Sequence, residues 1–289
     1  MYKIIDGRKR AEELKKRLLT LVIELKKNTG TIPGLAALRI GDNPSSQLYV
    51  KTKGLQAKAL GYHFEEHVFP NTASLQDIEY RINELNQAEN IHGIILQLPT
   101  PDHLDRFHLL SCIDPLKDVD GLHPLNSGKL FQGIKGGFVP CTPLGCLDLI
   151  QTVNPSLSGL RVGIIGTSIL VGRPMALLLL QQGCTVSIAN SKTKDLASFC
   201  EAADILIVAI GKPRFIQGDW IKKGATVIDV GINRLANGDL VGDVDFDQAL
   251  LKAGAITPVP GGVGPMTVVS LLRNTLESAY MHADQPFSL

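Results

Sequence analysis

One stretch constrains the fold more than any other: VGIIGTSILVGRPMALLLL, residues 162–180. It reads as a buried strand, a tight turn at Gly166 and a helix that begins near Gly172. A dinucleotide site uses this arrangement, because glycine lets the backbone approach a pyrophosphate and the start of the helix offers free N–H groups. Ser168 stands where a second glycine is usual, so an ordinary βα unit with a glycine turn is the alternative interpretation.

Strands and helices alternate along the whole chain. Before residue 100 the patterns predict helices over 7–28, 46–60 and 74–87, and strands over 34–41, 62–69 and 92–99. From residue 159 they predict strands over 159–166, 184–190, 203–211, 225–231 and 255–260, and helices over about 172–182 and 266–280. Such alternation predicts an α/β fold with a mostly parallel sheet covered on both faces. The Gly- and Pro-rich segment 128–143 separates the two sets, and a length of 289 residues favours two domains.

The composition excludes several classes of function. Lys and Arg number 29 against 28 Asp and Glu, and a formal charge of +1 gives no electrostatic basis for binding nucleic acid or a membrane. No apolar run approaches the roughly 18 residues of a membrane span, and the charged N-terminal stretch is not a signal peptide. The 5 cysteines form no C-x-x-C pair, which favours reduced thiols in a cytoplasmic protein and argues against a metal site.

The residues after the next predicted strand indicate which dinucleotide binds. NAD-binding folds usually place Asp or Glu about 20 residues after the glycines, where it holds the ribose 2′-hydroxyl. This chain has ANSKTKD instead, with Asn190 at that place and Ser191 and Lys192 behind it. No acid repels a 2′-phosphate here, and hydroxyl and amine donors can bind one, so NADP is favoured over NAD. The alternative is a solvated loop, in which lysine is common.

Three further stretches combine polar or rigid residues with the ends of predicted strands. QLPTP (97–101) ends an apolar strand with a polar Gln97, and KDVDG (117–121) places Asp118 and Asp120 before a glycine. TPVPGGVGPMT (257–267) puts three Pro and three Gly between a strand and a helix. A segment so rich in Gly and Pro suits close approach of backbone to a flat ligand or to a nicotinamide.

Taken together, these stretches resemble the bacterial bifunctional methylenetetrahydrofolate dehydrogenase/cyclohydrolase family. The motifs that carry the resemblance span nearly the whole chain in the family's order: YVKTK, GIILQLPTP, KDVDGLHPLNSGKL, PCTPLG, GTSILVGRPMALLL, SKT, DVGIN and GDVDF…ITPVPGGVGPMT. The resemblance implies that 5,10-methylenetetrahydrofolate gives a hydride to NADP⁺, and that water then opens the methenyl product to 10-formyltetrahydrofolate. It also implies a homodimer and two α/β domains around a cleft. We expect residues 1–140 with 268–289 to bind folate, and residues 141–267 to form a Rossmann domain for NADP.

The resemblance also assigns roles to single residues. Tyr49 and Lys53 share one face of a helix, at i and i+4, although on pattern alone they read as a plain surface pair. Lys53 matches the family's catalytic lysine. A lysine suits this role because an amine removed from water and facing a cationic substrate gives up its proton more readily. Gln97 matches the residue that hydrogen-bonds this lysine, and Tyr49 orients the folate. Asp120 accepts hydrogen bonds from the donor-rich edge of the pterin, whereas Asp118 reads as a turn residue.

The remaining expected contacts come mainly from glycines and short polar side chains. For folate we add Pro260, Gly261 and Gly262; for NADP we expect Gly166, Thr167, Ser168, Gly172, Arg173, Ser191, Lys192 and Ile232. Cys141 and Thr142 are expected to shape the domain junction without chemistry.

The chain departs from the family pattern at two positions. Thr167 stands where members often have Arg, and Asn190 stands where many have His. Both differences lower the affinity that we expect for NADP. Two other functions stay open: a monofunctional dehydrogenase with a vestigial hydrolytic site, and a non-catalytic folate- or nucleotide-binding module. Lys53 and Gln97 argue against the first, because hydride transfer alone does not need them, and together with Asp120 they argue against the second.

Overall fold

The computed structural model describes residues 3–289, which divide into two compact units. The N-terminal unit comprises Glu13–Cys141 with Val268–Leu289, and the C-terminal unit comprises Thr142–Thr267 with the segment up to Glu12. Strands β1 to β11 span Lys3–Ile4, Gly34–Ile40, His63–Phe69, Gly93–Leu96, Arg161–Ile165, Thr185–Ala189, Ile205–Val208, Thr226–Asp229, Asn233–Arg234, Leu240–Val241 and Ala255–Ile256. Helices α1 to α10 span Gly7–Thr29, Pro44–Ala59, Leu75–Gln87, Arg106–Cys112, Pro124–Gln132, Cys141–Gln151, Gly172–Gln181, Leu196–Glu201, Phe246–Ala249 and Val263–His282.

The N-terminal unit is built on a parallel sheet in the order β3-β2-β4. Strand β2 is buried along its whole length, as its largely apolar sequence GLAALRI predicts for a central strand. Its core also contains Ile78 and Ile82 of α3 and Leu109 and Leu110 of α4. A capping box between Ser74 and Asp77 fixes the start of α3, because each residue satisfies a backbone N–H of the other.

The C-terminal unit is built on a parallel sheet in the order β1-β11-β8-β7-β5-β6. Strands β7 and β8 lie at its centre and are buried throughout, and they contribute Leu206, Val208 and Val227 to the core. Strands β9 and β10 form a separate antiparallel ribbon. The expected α/β class with mostly parallel sheets is therefore confirmed.

The N-terminal strand lies in a different unit from the one expected. Residues 1–140 were assigned to the first domain, but β1 pairs in parallel with β11, with Lys3 opposite Ala255. The unit boundaries consequently fall within α1 and α10, at Glu12 and at Thr267. A strand of two residues shows no measurable periodicity, so the sequence pattern carries no sign of this pairing. No helix in residues 3–289 has the length and apolar character needed to cross a membrane.

Candidate active site

Helix α2 carries both Tyr49 and Lys53. Its start is fixed by Asn43, whose side chain accepts a hydrogen bond from the backbone N–H of Ser46 at 3.1 Å. Lys53 is only 8% exposed, whereas Lys51 on the same helix is exposed. A buried amine needs a polar partner, because water no longer solvates it. The structure therefore separates Lys53 from the ordinary surface lysines of this helix.

Gln97 supplies that partner. The Lys53 Nζ donates to Gln97 Oε1 at 3.0 Å. Gln97 itself is held twice: its backbone N–H donates to Leu38 O at 2.8 Å, and its Nε2 donates to Leu98 O at 2.8 Å. Because the amide NH₂ is engaged by Leu98, its oxygen faces the lysine. Gln97 thus fixes the position of the Lys53 amine.

Tyr49 lies one helical turn before Lys53 and is 41% exposed. Removal from water raises the pKa of its phenol above the ordinary value of 10.0. The hydroxyl is therefore protonated at neutral pH and available as a hydrogen-bond donor. An exposed ring with a neutral hydroxyl can both stack on a flat ligand and orient it.

Asp120 and Cys141 complete this group of side chains. The segment that carries Asp120 runs beside β4, where Ile94 N donates to Lys117 O at 2.7 Å. The buried Cys141 thiol has a pKa well above its ordinary value, first because of burial and then because of the nearby Asp120 carboxylate. The Lys53 amine acts on the same thiol in the opposite direction. Lys53, Asp120 and Cys141 therefore share one electrostatic neighbourhood, which motif spacing alone does not show for Cys141.

Asp118 is buried and bonded within the chain. Its carboxylate accepts hydrogen bonds from Leu122 N at 3.1 Å, His123 N at 2.8 Å and Asn126 Nδ2 at 2.8 Å. Burial raises the pKa of this carboxyl to about 7, and the three bonds act against that rise. The side chain is 1% exposed and closes the turn after the KDVDG segment.

Lys117 is a structural residue that sequence reasoning missed. Its Nζ donates to three backbone oxygens at the end of α3, those of Leu85, Asn86 and Ala88, at 3.1, 2.7 and 2.9 Å. Burial lowers the pKa of this amine. Lysine at a helix C-terminus satisfies carbonyls that have no partner within the helix. A single lysine in a loop gives no sequence signal for this role.

In the C-terminal unit, the turn after β5 requires glycine at two positions. Gly166 has a φ of 119°, and a Cβ there would meet Ala209 O. A Cβ on Gly172 would meet Gly166 O. Helix α7 begins here, and its N-cap residue Val171 makes no side-chain capping bond. Backbone without side chains, at the start of a helix that has no side-chain cap, fits a dinucleotide pyrophosphate.

Three expected cofactor residues surround this turn. Ser168 Oγ accepts from Val171 N at 3.2 Å, so the hydroxyl helps to shape the loop. Arg173 Nε donates to Thr167 O at 3.0 Å. Thr167, Ser168 and Arg173 are all exposed and lie at the mouth of the turn.

The loop after β6 is a compact turn with two exposed side chains at its tip. Asn190 Oδ1 accepts from Lys192 N at 2.9 Å, and Thr193 Oγ1 accepts from Asn190 N at 2.9 Å. Asn190 therefore orders the backbone, which is a role that Asn commonly plays in turns. Ser191 and Lys192 are exposed at the tip of that turn.

The expected glycines of the 257–267 stretch lie in the C-terminal unit, beside the first turn of α1. Arg8 N donates to Gly261 O at 3.1 Å. Gly261 has a φ of 110°, and a Cβ on Gly262 would lie 2.6 Å from Pro258 O. Pro260 is exposed and lines a cavity of about 580 Å³. Ile232, which follows β8, is also exposed, at 45%.

Two buried carboxylates hold the loops at the ends of β7 and β8. Asp243 accepts from the backbone N–H groups of three consecutive residues after β7, namely Ile210, Gly211 and Lys212, at 2.7, 2.9 and 2.8 Å. Asp229 accepts from Asp243 N at 2.9 Å, and burial raises its pKa to about 7. The motifs DVGIN and GDVDF thus have a structural basis that sequence reasoning did not assign.

Comparison with known proteins matches two parts of the chain to two domains of one family. Residues 5–120 match the model of the tetrahydrofolate dehydrogenase/cyclohydrolase catalytic domain, and residues 140–283 match the NAD(P)-binding domain of the same family. The "Bifunctional protein FolD 2" of Paracoccus denitrificans is 51% identical over 276 residues, which cover 94% of this chain and 91% of that protein.

Two solved structures have the same fold over nearly the whole chain. The bifunctional FolD enzyme of Campylobacter jejuni superposes with a TM-score of 0.95 at 43% identity, covering 97% of this chain and 99% of that one. The FolD enzyme of Trypanosoma brucei, solved with NADP cofactor and inhibitor, gives a TM-score of 0.93 at 39% identity, covering 97% and 98%.

Proposed function

The chain belongs to the tetrahydrofolate dehydrogenase/cyclohydrolase family and carries both of its domains, and on this premise we propose which residues bind the substrate and cofactor and which take part in catalysis. The first reaction oxidises 5,10-methylenetetrahydrofolate to the methenyl cation, and the second hydrolyses that cation to 10-formyltetrahydrofolate. NADP⁺, when bound, supplies the hydride acceptor. Every other step is assigned to side chains and backbone of this chain.

Lys53 is the general acid and base of the hydrolysis. Water must lose a proton as it adds to the methenyl carbon, and the folate nitrogen must gain one as the ring C–N bond breaks. The Lys53 side chain takes up the first proton and delivers one to the leaving nitrogen. Gln97 positions this amine through the 3.0 Å bond to Nζ, and its oxygen accepts from the amine in either protonation state.

Tyr49 and Asp120 bind the folate. The neutral phenol of Tyr49 donates a hydrogen bond, and its exposed ring offers a surface for the flat pterin or aminobenzoyl group. Asp120 accepts from the N–H groups of the pterin edge, where a carboxylate binds more strongly than a neutral acceptor. Pro260, Gly261 and Gly262 provide substrate contacts through a segment that leaves little room for side chains.

NADP is held by the turn after β5 and by the loop after β6. Gly166 and Gly172 admit the pyrophosphate, while Thr167, Ser168 and Arg173 line the mouth of the turn. Ser191 and Lys192 bind the 2′-phosphate, because both are exposed at a loop tip that Asn190 holds in shape. The exposed Ile232 would add an apolar contact to the cofactor.

Neither reaction needs a metal ion. The carbon under attack is already part of a cation, so a Lewis acid adds little to its reactivity. We further propose that the protein works as a cytoplasmic homodimer and supplies one-carbon units to reactions such as those of purine biosynthesis. These assignments follow from the resemblance stated above.

The observation that carries the hydrolytic assignment is the buried Lys53 amine bonded to Gln97. The test supplies methenyltetrahydrofolate without NADP and follows the loss of its near-ultraviolet absorption. We expect hydrolysis faster than in buffer and unchanged by a chelator. No acceleration over buffer would favour a monofunctional dehydrogenase or a non-catalytic binding module.

A further inference from the structure

Helices α3 and α4 bring three potential metal ligands together, none of which has a role in the proposed reactions. Glu79 lies on α3, and His108 and Cys112 lie one turn apart on α4. His108 Nε2 is 3.3 Å from Glu79 Oε2 and 3.6 Å from Cys112 Sγ. The three ligand atoms all lie within 4.8 Å of one another. All three side chains are at least partly accessible, so an ion from solvent can reach them.

Two of the three separations match the edges of a tetrahedral zinc site, and the third lies within 4.8 Å. Zinc bonds of about 2.0–2.1 Å to nitrogen or oxygen and about 2.3 Å to sulfur place neighbouring ligand atoms roughly 3.3–3.6 Å apart. The N···O distance of 3.3 Å and the S···N distance of 3.6 Å fall on those values. An ion at the centre needs little movement of the two helices.

The chemistry of the three ligands selects the ion. A thiolate and an imidazole favour zinc and similar transition ions, whereas Mg²⁺ and Ca²⁺ require oxygen ligands. A carboxylate and a thiolate together balance the charge of a divalent ion. As the metal–sulfur bond forms, the Cys112 thiol releases its proton to solvent. Three protein ligands leave the fourth position to water.

The scaffold holds the ligands in place before an ion arrives. Asn86, in the last turn of α3, donates from Nδ2 to Cys112 O at 2.7 Å and accepts at Oδ1 from Asp114 N at 2.9 Å. The buried faces of α3 and α4 meet in the same core. A site on two packed helices loses little conformational freedom when the ion binds.

We propose that Glu79, His108 and Cys112 bind one zinc-class divalent ion, which ties α3 to α4 and stabilises the N-terminal unit. The site is independent of the proposed function, since none of its residues takes part in hydride transfer or hydrolysis. This proposal also revises the expectation, drawn from the sequence, that the chain has no metal site. His108 and Cys112 lie at i and i+4 on one helix, but their third ligand, Glu79, comes from another helix.

The test uses Co²⁺ as a spectroscopic substitute for zinc in the whole chain. We expect one equivalent to produce a thiolate-to-cobalt charge-transfer band that added Zn²⁺ removes. Cys112→Ser must abolish the band, and His108→Ala must weaken binding at least about tenfold. His67→Ala is the matched control: His67 also pairs with a glutamate, Glu65, at 3.0 Å, and must leave the titration unchanged.

Two further readouts keep the result decisive. Cys112 is the one partly exposed cysteine of the chain, the other cysteines being buried, so Zn²⁺ should slow its alkylation. Zn²⁺ should also raise the melting temperature of the wild type and not that of Cys112→Ser. A missing band, a band that survives in Cys112→Ser, or equal loss in His67→Ala would overturn the proposal. Methenyltetrahydrofolate hydrolysis is scored separately and should not respond to the ion.

Discussion

The candidate sites of the two units differ in whether side chains or backbone form them. In the N-terminal unit the site consists of side chains fixed by other side chains, as in the bond between the buried Lys53 and Gln97. In the C-terminal unit it consists mainly of backbone that lacks side chains, at Gly166 and Gly172, with Ser191 and Lys192 exposed nearby. Catalysis requires a reactive atom at a fixed position, whereas dinucleotide binding requires backbone N–H groups that the ligand can approach. Substitutions in the two units should therefore fail in different ways.

The largest effect should come from Lys53→Met. Removing the general acid and base should lower methenyltetrahydrofolate hydrolysis at least about 100-fold. NADP binding, measured separately by calorimetry, should persist, because the C-terminal unit is unchanged.

Lys51→Met is the matched control for this variant. Lys51 lies on the same helix but is exposed, so its loss should leave hydrolysis near the wild-type rate. Hydrolysis at the wild-type rate in a folded Lys53→Met protein would remove Lys53 from the mechanism.

Gly172→Ala should have the opposite effect: it should weaken NADP binding and leave hydrolysis intact. A Cβ at this position meets Gly166 O, so the turn must open and its N–H groups move away from the pyrophosphate. Each lost hydrogen bond to a charged group costs about 1.5–3 kcal/mol, so the Michaelis constant for NADP should rise roughly 10- to 100-fold. Hydrolysis without NADP should continue.

Gly128→Ala provides the comparison for a helical glycine. Apart from its chain neighbours and the backbone of its own helix, nothing lies within 4 Å of a Cβ added there, so neither activity should change. If Gly172→Ala also leaves the NADP constant unchanged, the cofactor does not approach this turn.

The pH dependence of stability should distinguish a buried histidine of the N-terminal unit. Burial lowers the pKa of His92 from 6.5 to about 4, and the positive charges of His282 and Lys117 act in the same direction. Its Nδ1 accepts from Gly34 N at 3.0 Å, which a protonated ring cannot do. Between these pKa values the unfolded chain binds the proton and the folded chain does not. Stability is therefore complete above about pH 6.5 and falls by up to about 1.4 kcal/mol per pH unit toward pH 4.

His92→Asn isolates this contribution. The Asn oxygen can still accept from Gly34 N, but the residue does not titrate. Urea unfolding at pH 7, 6 and 5 should give a flatter pH dependence for the variant than for the wild type. Equal slopes would show that His92 is protonated in the folded protein.

The sequence allows the elements to be predicted where their pattern is long and their caps are clear. Helix α2 and strand β2 follow from continuous patterns and from the Asn43 cap. Strand β1 could not be assigned to the C-terminal sheet, because its partner β11 lies more than 250 positions away in the sequence. Local propensity carries no information on such a distant pairing.

The candidate site divides in the same way. The i and i+4 spacing of Tyr49 and Lys53 is visible in the sequence, but the burial that distinguishes Lys53 from Lys51 is not. Cys141 beside Lys53, and Lys117 beneath α3, depend on tertiary packing of segments distant in the chain. Residue type alone predicted the glycine turn, because only glycine fits the backbone there.

The smallest effect should be on the choice between NADP and NAD, which rests on exposed side chains. Ser191 and Lys192 lie at the tip of the loop that Asn190 orders, and a charge-assisted bond to the 2′-phosphate from either contributes about 1.5–3 kcal/mol when fully formed. Solvent screens such bonds when the side chains are exposed, and Thr167 offers no charge where the family often has Arg. We therefore expect a contribution at the lower end of this energy range. Ser191→Ala and Lys192→Ala should each raise the Michaelis constant for NADP about tenfold and leave that for NAD unchanged.

Lys194→Ala is the control for this pair, because Lys194 is exposed in the same loop but lies beyond the turn closed by Thr193. A wild type that prefers NAD would show that the loop has been misinterpreted. If the wild type prefers NADP and neither substitution narrows the preference, the phosphate is bound elsewhere. Arg173 is then the next candidate, since its side chain is exposed and its Nε donates to Thr167 O beside the glycine turn. The C-terminal unit would in that case bind the whole cofactor around a single turn.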